Sequence, residues 1–262
     1  MMTDADTSQV RFSRIPTVPQ ILAGGPLRIP RNIVHLWAFE FSCGIETIDQ
    51  LLTTLSADEL VRARRFMHKR SEDAFIVTHG IMRLVLARYC GVGPSELNFS
   101  GGFAGKPFIR PIEGLALCPQ FSLSHAGDRM LLAVVADGHV GVDLECEQHG
   151  IDPLAISERI FSGADLKAII DCLPGQRSDV FFRQWVAMEA ALKAKGLGFR
   201  IAQDSQMLGG HLWESMELLE LPDAHSLQSD WPVRILSCDP GWYAAVSTQL
   251  RTWEVVQPHV AS

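Results

Sequence analysis

Residues 1 to about 30 are interrupted by proline and glycine and show no hydrophobic period, whereas from Asn32 onward apolar and polar positions fall into regular patterns. Ile33-Val34-His35-Leu36-Trp37-Ala38-Phe39 predicts a strand, and Ser56-Ala57-Asp58-Glu59 has the Ser-x-x-Glu form of a capping box opening a helix. A longer helix is expected over about 71–89, stopped by Gly91, and three β-rich stretches follow at 96–100, 120–124 and 130–135. The order then restarts. A strand is predicted over 140–145, helical signals lie at 156–159 and from Ser162, and a long helix spans about 179–195 before Gly196. Further strands are expected at 211–219, 233–237 and 242–247.

A shift of 106 places Leu36 on Val142, Trp37 on Asp143 and Arg83 on Glu189, and a shift of 111 superposes Ala133 on Ala244 and Val135 on Val246. The expectation is an α+β chain of two similar α+β halves related by a pseudo-twofold: an irregular leader over 1–31, an N-terminal half over 32–136, a C-terminal half over 137–250 and a tail over 251–262. The site is expected in the cleft between the halves, because pockets collect at such interfaces. Identity between the copies is faint, so a chance match stands beside the repeat.

The composition, 262 residues at 47% hydrophobic and 20% charged, is that of a globular protein and excludes a disordered or collagen-like chain. The longest apolar run, 130–136, is too short for a bilayer, which takes about 20 residues. The N-terminus carries Asp4 and Asp6 early and reads as neither signal nor transit peptide, so a cytoplasmic protein without membrane attachment is expected. Cys43, Cys90, Cys118, Cys146, Cys172 and Cys238 are scattered, as reduced thiols would be. The net charge of -7 argues against nucleic acid as a partner, while Arg62, Arg64, Arg65, His68, Lys69 and Arg70 form a local basic segment.

Asp143 and Glu145 alternate along a strand, so both carboxylates point to one face while Val142 and Leu144 point to the other. Two close carboxylates repel unless a cation lies between them, and hard oxygen ligands on a rigid strand suit Mg²⁺, which keeps waters and substrate phosphates around it. Taken alone, Asp-x-Glu reads more simply as a solvated strand face. Glu189 and Lys193 are four apart and share a helix face with Trp185. Alone, they are a surface pair worth about 0.3–0.5 kcal/mol. In Phe121-Ser122-Leu123-Ser124-His125-Ala126-Gly127 a strand end turns at glycine. A hydroxyl followed by an imidazole there can hold a phosphate, against the commoner structural histidine. Lys106, in a Gly-Lys-Pro turn, and Arg62, on a helix, have exposure to water as their plain reading.

Taken in order, Gly-Lys-Pro at 105–107, Phe-Ser-Leu-Ser-His at 121–125, Gly-Val-Asp-Leu-Glu at 141–145 and Trp-x-x-x-Glu-Ala-x-x-Lys at 185–193 resemble the 4′-phosphopantetheinyl transferase family of the surfactin-synthetase-activating type. The likeness continues from Leu55-Ser56 to Arg65-Phe66 and in Gly241-Trp242-Tyr243-Ala244-Ala245-Val246, and covers roughly residues 32–250. The resemblance implies a monomer of two similar halves with coenzyme A in the cleft and its diphosphate on Mg²⁺. By motif position Asp143, Glu145 and Glu189 would ligate the metal, Lys193 would contact the phosphates, and Arg62, Lys106, Ser124 and His125 would grip the 3′-phosphate end of the nucleotide. Three positions depart from the family pattern: Met188 stands where Lys is common, removing a positive charge near the cleft, Ser122 where Asn is usual, and Asp165 where Glu is usual.

The implied reaction moves phosphopantetheine from coenzyme A to a serine of an apo acyl or peptidyl carrier protein and releases adenosine 3′,5′-bisphosphate. Mg²⁺ would neutralise the electrophile, Lys193 would stabilise developing charge, and Glu189, or a water it orients, would take the serine proton. A metal-bound carboxylate is a poor base, so its ligand role is the firmer of the two. Carrier domains of this kind are acidic, and the basic segment, Arg65 and Lys69 in particular, is expected to help dock them. Two alternatives use the same residues: a Mg²⁺-dependent coenzyme A diphosphate hydrolase, and a coenzyme A-binding module without catalysis, for which Met188 is the one hint.

Overall fold

The computed structural model describes residues 9–41, 44–101, 106–147, 151–196 and 231–259. In chain order the first part contains β1 (Ser13–Arg14), α1 (Val18–Ala23), β2 (Ile33–Glu40), α2 (Ile45–Leu52), α3 (Ala57–Ala63), α4 (Lys69–Cys90), β3 (Phe99–Gly101), β4 (Pro107–Ile109), β5 (Gln120–Ala126) and β6 (Arg129–Val135). The second contains β7 (Val140–Cys146), α5 (Pro153–Ile160), α6 (Gly163–Asp171), α7 (Arg177–Lys195), β8 (Val233–Leu236), β9 (Trp242–Thr248) and β10 (Glu254–Val256). The architecture is mixed α+β.

Two sheets carry the core. In one, β2, β6 and β5 are antiparallel neighbours, with β1 and β10 parallel to opposite ends of β2. In the other, β9 lies between β7 and β8, all antiparallel. Period-2 alternation sends Trp37, Phe39, Leu132 and Val134 toward a cluster with Phe75, Ile81 and Val85 of α4. It sends Leu36, Ala38, Leu131 and Ala133 into a second cluster with Val140, Val142, Leu144 and Ala244, where the sheets meet. Phe181, Phe182, Val186 and Ala190 of α7 cover the far side of the second sheet, against Tyr243 and Ala245. Helix, sheet, sheet and helix therefore stack in that order, and fully burying each large apolar side chain contributes roughly 1.5–3 kcal/mol.

Helix ends follow their local chemistry. Ser56 and Glu59 form the expected reciprocal capping box on α3, and α4 and α7 stop at Gly91 (φ 68°) and Gly196 (φ 74°), each left-handed. The expected strands at 120–124, 130–135, 140–145, 233–237 and 242–247 all form, within a residue or two of their bounds. The stretch at 96–100 is a strand only from Phe99, because Pro94 starts a 3-10 turn over Pro94–Glu96. The strand expected at 211–219 lies outside the described residues.

Residues 9–31 are more ordered than their lack of period suggested. Thr17 and Gln20 make a capping box for α1, a Thr-x-x-Gln signal that pattern reading passed over. Arg88 of α4 donates to the carbonyls of Gly25 (2.8 Å) and Gly24 (2.7 Å), and Val10 N–H donates to Ser237 O (2.7 Å). The segment thus spans from the second sheet, at Ser237, to the first, where Ser13 lies opposite Phe39. Residues 254–256, read as tail, are likewise drawn into the first sheet beside 33–35. In both cases the deciding partner is remote in sequence, so no local period records it.

Candidate functional site

The site forms where β5, β7 and α7 converge. β7 is an edge strand, and two of its outward N–H groups donate to serine hydroxyls of β5: Val142 to Ser122 Oγ (3.1 Å) and Leu144 to Ser124 Oγ (3.3 Å). Those side chains stand in for a backbone ladder between the sheets, a role visible in the sequence only as hydroxyls at alternate positions. On the other side, α7 runs close to β7 because residue 141 is glycine. A Cβ there would lie 2.0 Å from Ala190 O and 2.3 Å from Ala194 N, both backbone atoms that cannot swing away. Gly141 was legible as part of a motif, but its packing role was not.

Trp185, Glu189 and Lys193 occupy successive turns of one α7 face. The Lys193 ammonium donates to Asp143 Oδ1 (2.5 Å) and Ser124 Oγ (3.0 Å), the Ser124 hydroxyl donates to the same Asp143 oxygen (2.9 Å), and the Trp185 indole N–H donates to Glu145 Oε1 (3.3 Å). Asp143 is buried, yet its Oδ2 has no hydrogen-bond partner among the described residues. A buried carboxylate oxygen left unpaired is costly unless something fills its place.

Three acids facing one lysine leave an excess of negative charge. Burial first, and then the Asp143 charge, push the Glu145 and Glu189 carboxyls up to about 8, with Lys193 opposing the rise in both. Burial pulls the Lys193 ammonium down, but Asp143 and Glu189 outweigh it and hold it above its ordinary value. Without a further cation, two of the acids retain protons near neutrality.

Asp143, Glu145, Glu189, Lys193 and Ser124 thus lie near one another where β5, β7 and α7 converge. The sequence-predicted phosphate residues divide. His125 stands exposed one position beyond Ser124 and is close enough to feel the Lys193 charge. Arg62 is exposed, with its guanidinium 5.3 Å from the centre of the Phe75 ring. His79, which sequence reading did not single out, stacks on that same ring at 3.8 Å and interacts electrostatically with both Arg62 and His125. Lys106 donates to Val140 O (2.7 Å) at the start of β7, and burial lowers it to about 8. No described hydrogen bond ties it to the carboxylate cluster. The Ser124 hydroxyl hydrogen is already committed to Asp143. Met188 does not border the cluster as an open gap; it is buried in the apolar core beneath α7. In the basic segment, Lys69 is paired with Asp73 (2.7 Å) and Glu72 (3.3 Å), while Arg64, Arg65 and Arg70 are exposed.

Among the described residues no three acid, histidine or cysteine side chains already stand as an assembled ligand set. The donor set nevertheless fits a hard divalent cation: Asp143 Oδ2 is buried and unpaired among the described residues, and burial, then the Asp143 charge, push both neighbouring carboxyls up to about 8.

An acid-rich, lysine-bearing centre thus lies where the two sheets of this α+β chain meet. The profile of the 4′-phosphopantetheinyl transferase superfamily matches residues 139–235. The 4′-phosphopantetheinyl transferase HetI of Nostoc sp. is 34% identical over 167 residues, covering 63% of this chain and 69% of its own. A 4′-phosphopantetheinyl transferase of Bacillus subtilis is 27% identical over 181 residues (68% and 75%), and Sfp of the same species 25% over 201 residues (77% and 85%). The chain belongs to the 4′-phosphopantetheinyl transferase superfamily and is a transferase of that kind. No helix among the described residues is long and apolar enough to cross a membrane.

Proposed function

We propose that the protein transfers 4′-phosphopantetheine from coenzyme A to a serine of an apo acyl or peptidyl carrier protein, with Mg²⁺ at Asp143, Glu145 and Glu189. The observation that carries this is the buried, unpaired Asp143 Oδ2 beside two carboxyls raised to about 8. A bound divalent ion supplies charge neutralisation for the diphosphate and a template for in-line attack. The chain's own residues do the rest. Lys193 directs its ammonium at developing phosphoryl charge, and Ser124 holds Lys193 and Asp143 in one network. Glu189 accepts the serine proton, directly or through a water. His125 and Arg62 face the anionic nucleotide end, where His79 joins them. Lys106 gives one N–H of its ammonium to Val140 O and offers the nucleotide its remaining donors.

In this reading the protein is a cytoplasmic monomer of two halves, 32–136 and 137–250, with the substrate between them, and the exposed Arg64, Arg65 and Arg70 receive the acidic carrier. The product is adenosine 3′,5′-bisphosphate. Intact mass of several apo-carriers incubated with enzyme, Mg²⁺ and coenzyme A tests the reading. The expected result is a gain of one phosphopantetheine on serine, abolished by EDTA. No gain on any carrier from folded enzyme overturns it. Bisphosphate release without carrier would mark a hydrolase instead.

A further inference from the structure

The three acids differ in what orients them. Asp143 is held at Oδ1 by Lys193 and Ser124, and Glu189 enters from the α7 face without a hydrogen bond among those described. Glu145 projects from the strand on a longer stem, and among the described residues its side-chain hydrogen bond comes from the Trp185 indole (3.3 Å). That indole is itself immobilised: Trp185 is buried, and Phe181, one turn earlier on α7, stacks on it with centroids 6.1 Å apart and planes 25° apart. An indole N–H only donates and has no titration in the physiological range, so it offers the carboxylate a constant partner.

We propose that Trp185 is a positioning residue that sets the Glu145 carboxylate for the divalent ion. This rests on the metal role of Glu145 given above. One helix face then fixes all three acids: Trp185 orients Glu145, Glu189 enters directly a turn later, and Lys193 orients Asp143 a turn beyond. Groups that orient a ligating side chain typically change metal affinity about 10–100-fold when removed.

Trp185→Phe keeps an aromatic ring in the core and removes the N–H together with the pyrrole half of the indole, so its stability is measured alongside its metal affinity. Mn²⁺ binding, followed by electron paramagnetic resonance with coenzyme A present, is expected to weaken about tenfold or more in this variant. The apparent Mg²⁺ requirement of the reaction should rise in parallel, with kcat largely recovered at saturating Mg²⁺. A purely structural tryptophan would lower the melting temperature and leave Mn²⁺ affinity alone, and wild-type affinity in folded Trp185→Phe overturns the proposal. Should that variant fail to fold, the indole N–H resonance of Trp185 serves in its place. It should move on Glu145→Gln substitution and on Mg²⁺ addition, and a resonance that responds to neither also overturns it. Wild-type enzyme that binds no Mn²⁺ while still modifying carrier in EDTA would instead remove the metal reading, and this inference with it.

Discussion

The two long helices, α4 and α7, each lie on a sheet, each turn charged side chains toward it and each end at a left-handed glycine, yet Arg83 of α4 and the acid cluster beside α7 are partnered in opposite ways. On α4, Arg83 is 2% exposed and its Nε and Nη1 donors are answered: Nε by Glu59 Oε2 (2.6 Å) and Nη1 by the carbonyls of Pro94 (2.8 Å) and Leu97 (3.0 Å), with the Phe99 ring 5.0 Å away. Glu59 in turn caps α3. On α7, Glu189 has no hydrogen bond among those described, the adjoining Asp143 leaves one oxygen unpaired, and two carboxyls are displaced to about 8. A closed polar network is a strut, because each member is satisfied inside the fold. An open one stores a demand for something from outside. The same physics of burial thus separates a structural ion pair from a site.

Breaking the strut should have the largest effect on stability. Arg83→Met leaves Glu59 and two carbonyls without their partner and is expected to lower unfolding free energy by about 3–5 kcal/mol, measured by urea denaturation. Activity per folded molecule should be retained. Asp143→Asn attacks the open network and should reverse that pattern: with Asp143 as a ligand of the proposed ion, carrier modification falls at least about 100-fold, more than on loss of a group that merely orients a ligand. Its urea midpoint should change far less than that of Arg83→Met.

The open network also has a pH signature. Glu145 and Glu189 keep protons to about 8 in the fold against an ordinary 4.5, so the folded state binds more protons than the unfolded chain and stability falls as pH rises between those values. His79, lowered by burial to about 4 from 6.5, acts in the opposite sense, but its gain is complete above 6.5. In EDTA, the melting temperature should therefore decline between about pH 6.5 and pH 8, and Glu189→Gln should flatten the decline. Mg²⁺ should stabilise more at pH 8 than at pH 6.5; equal stabilisation at both would contradict a cation bound by these acids. The smallest effect belongs to Lys69→Ala on the exposed start of α4, at most about 0.5 kcal/mol, because its pairs with Asp73 and Glu72 are solvated.

Much of the framework was legible in the sequence. Strand and helix periods, the Ser56 and Glu59 capping box and the glycine stops at 91 and 196 are local signals, and they appear where local chemistry puts them. The carboxylates and lysine were legible too, because alternation on β7 and the four-residue spacing on α7 dictate which side chains share a face. The pairings at 13–14 and 254–256, the serine bridge from β5 to β7 and the near contact at Gly141 were not, since each joins residues far apart in the chain.

The order of residues by itself determined the main strands and helices, their inward faces and the family to which the chain belongs, because periodicity and motif spacing are properties of neighbours along the backbone. Only tertiary structure decided that Lys193 closes on one oxygen of Asp143 and leaves the other bare, and that an indole reaches Glu145. Charge spacing can be read in one dimension. Burial, which turns that spacing into carboxyls displaced to about 8, exists only once the sheets and α7 have closed around it.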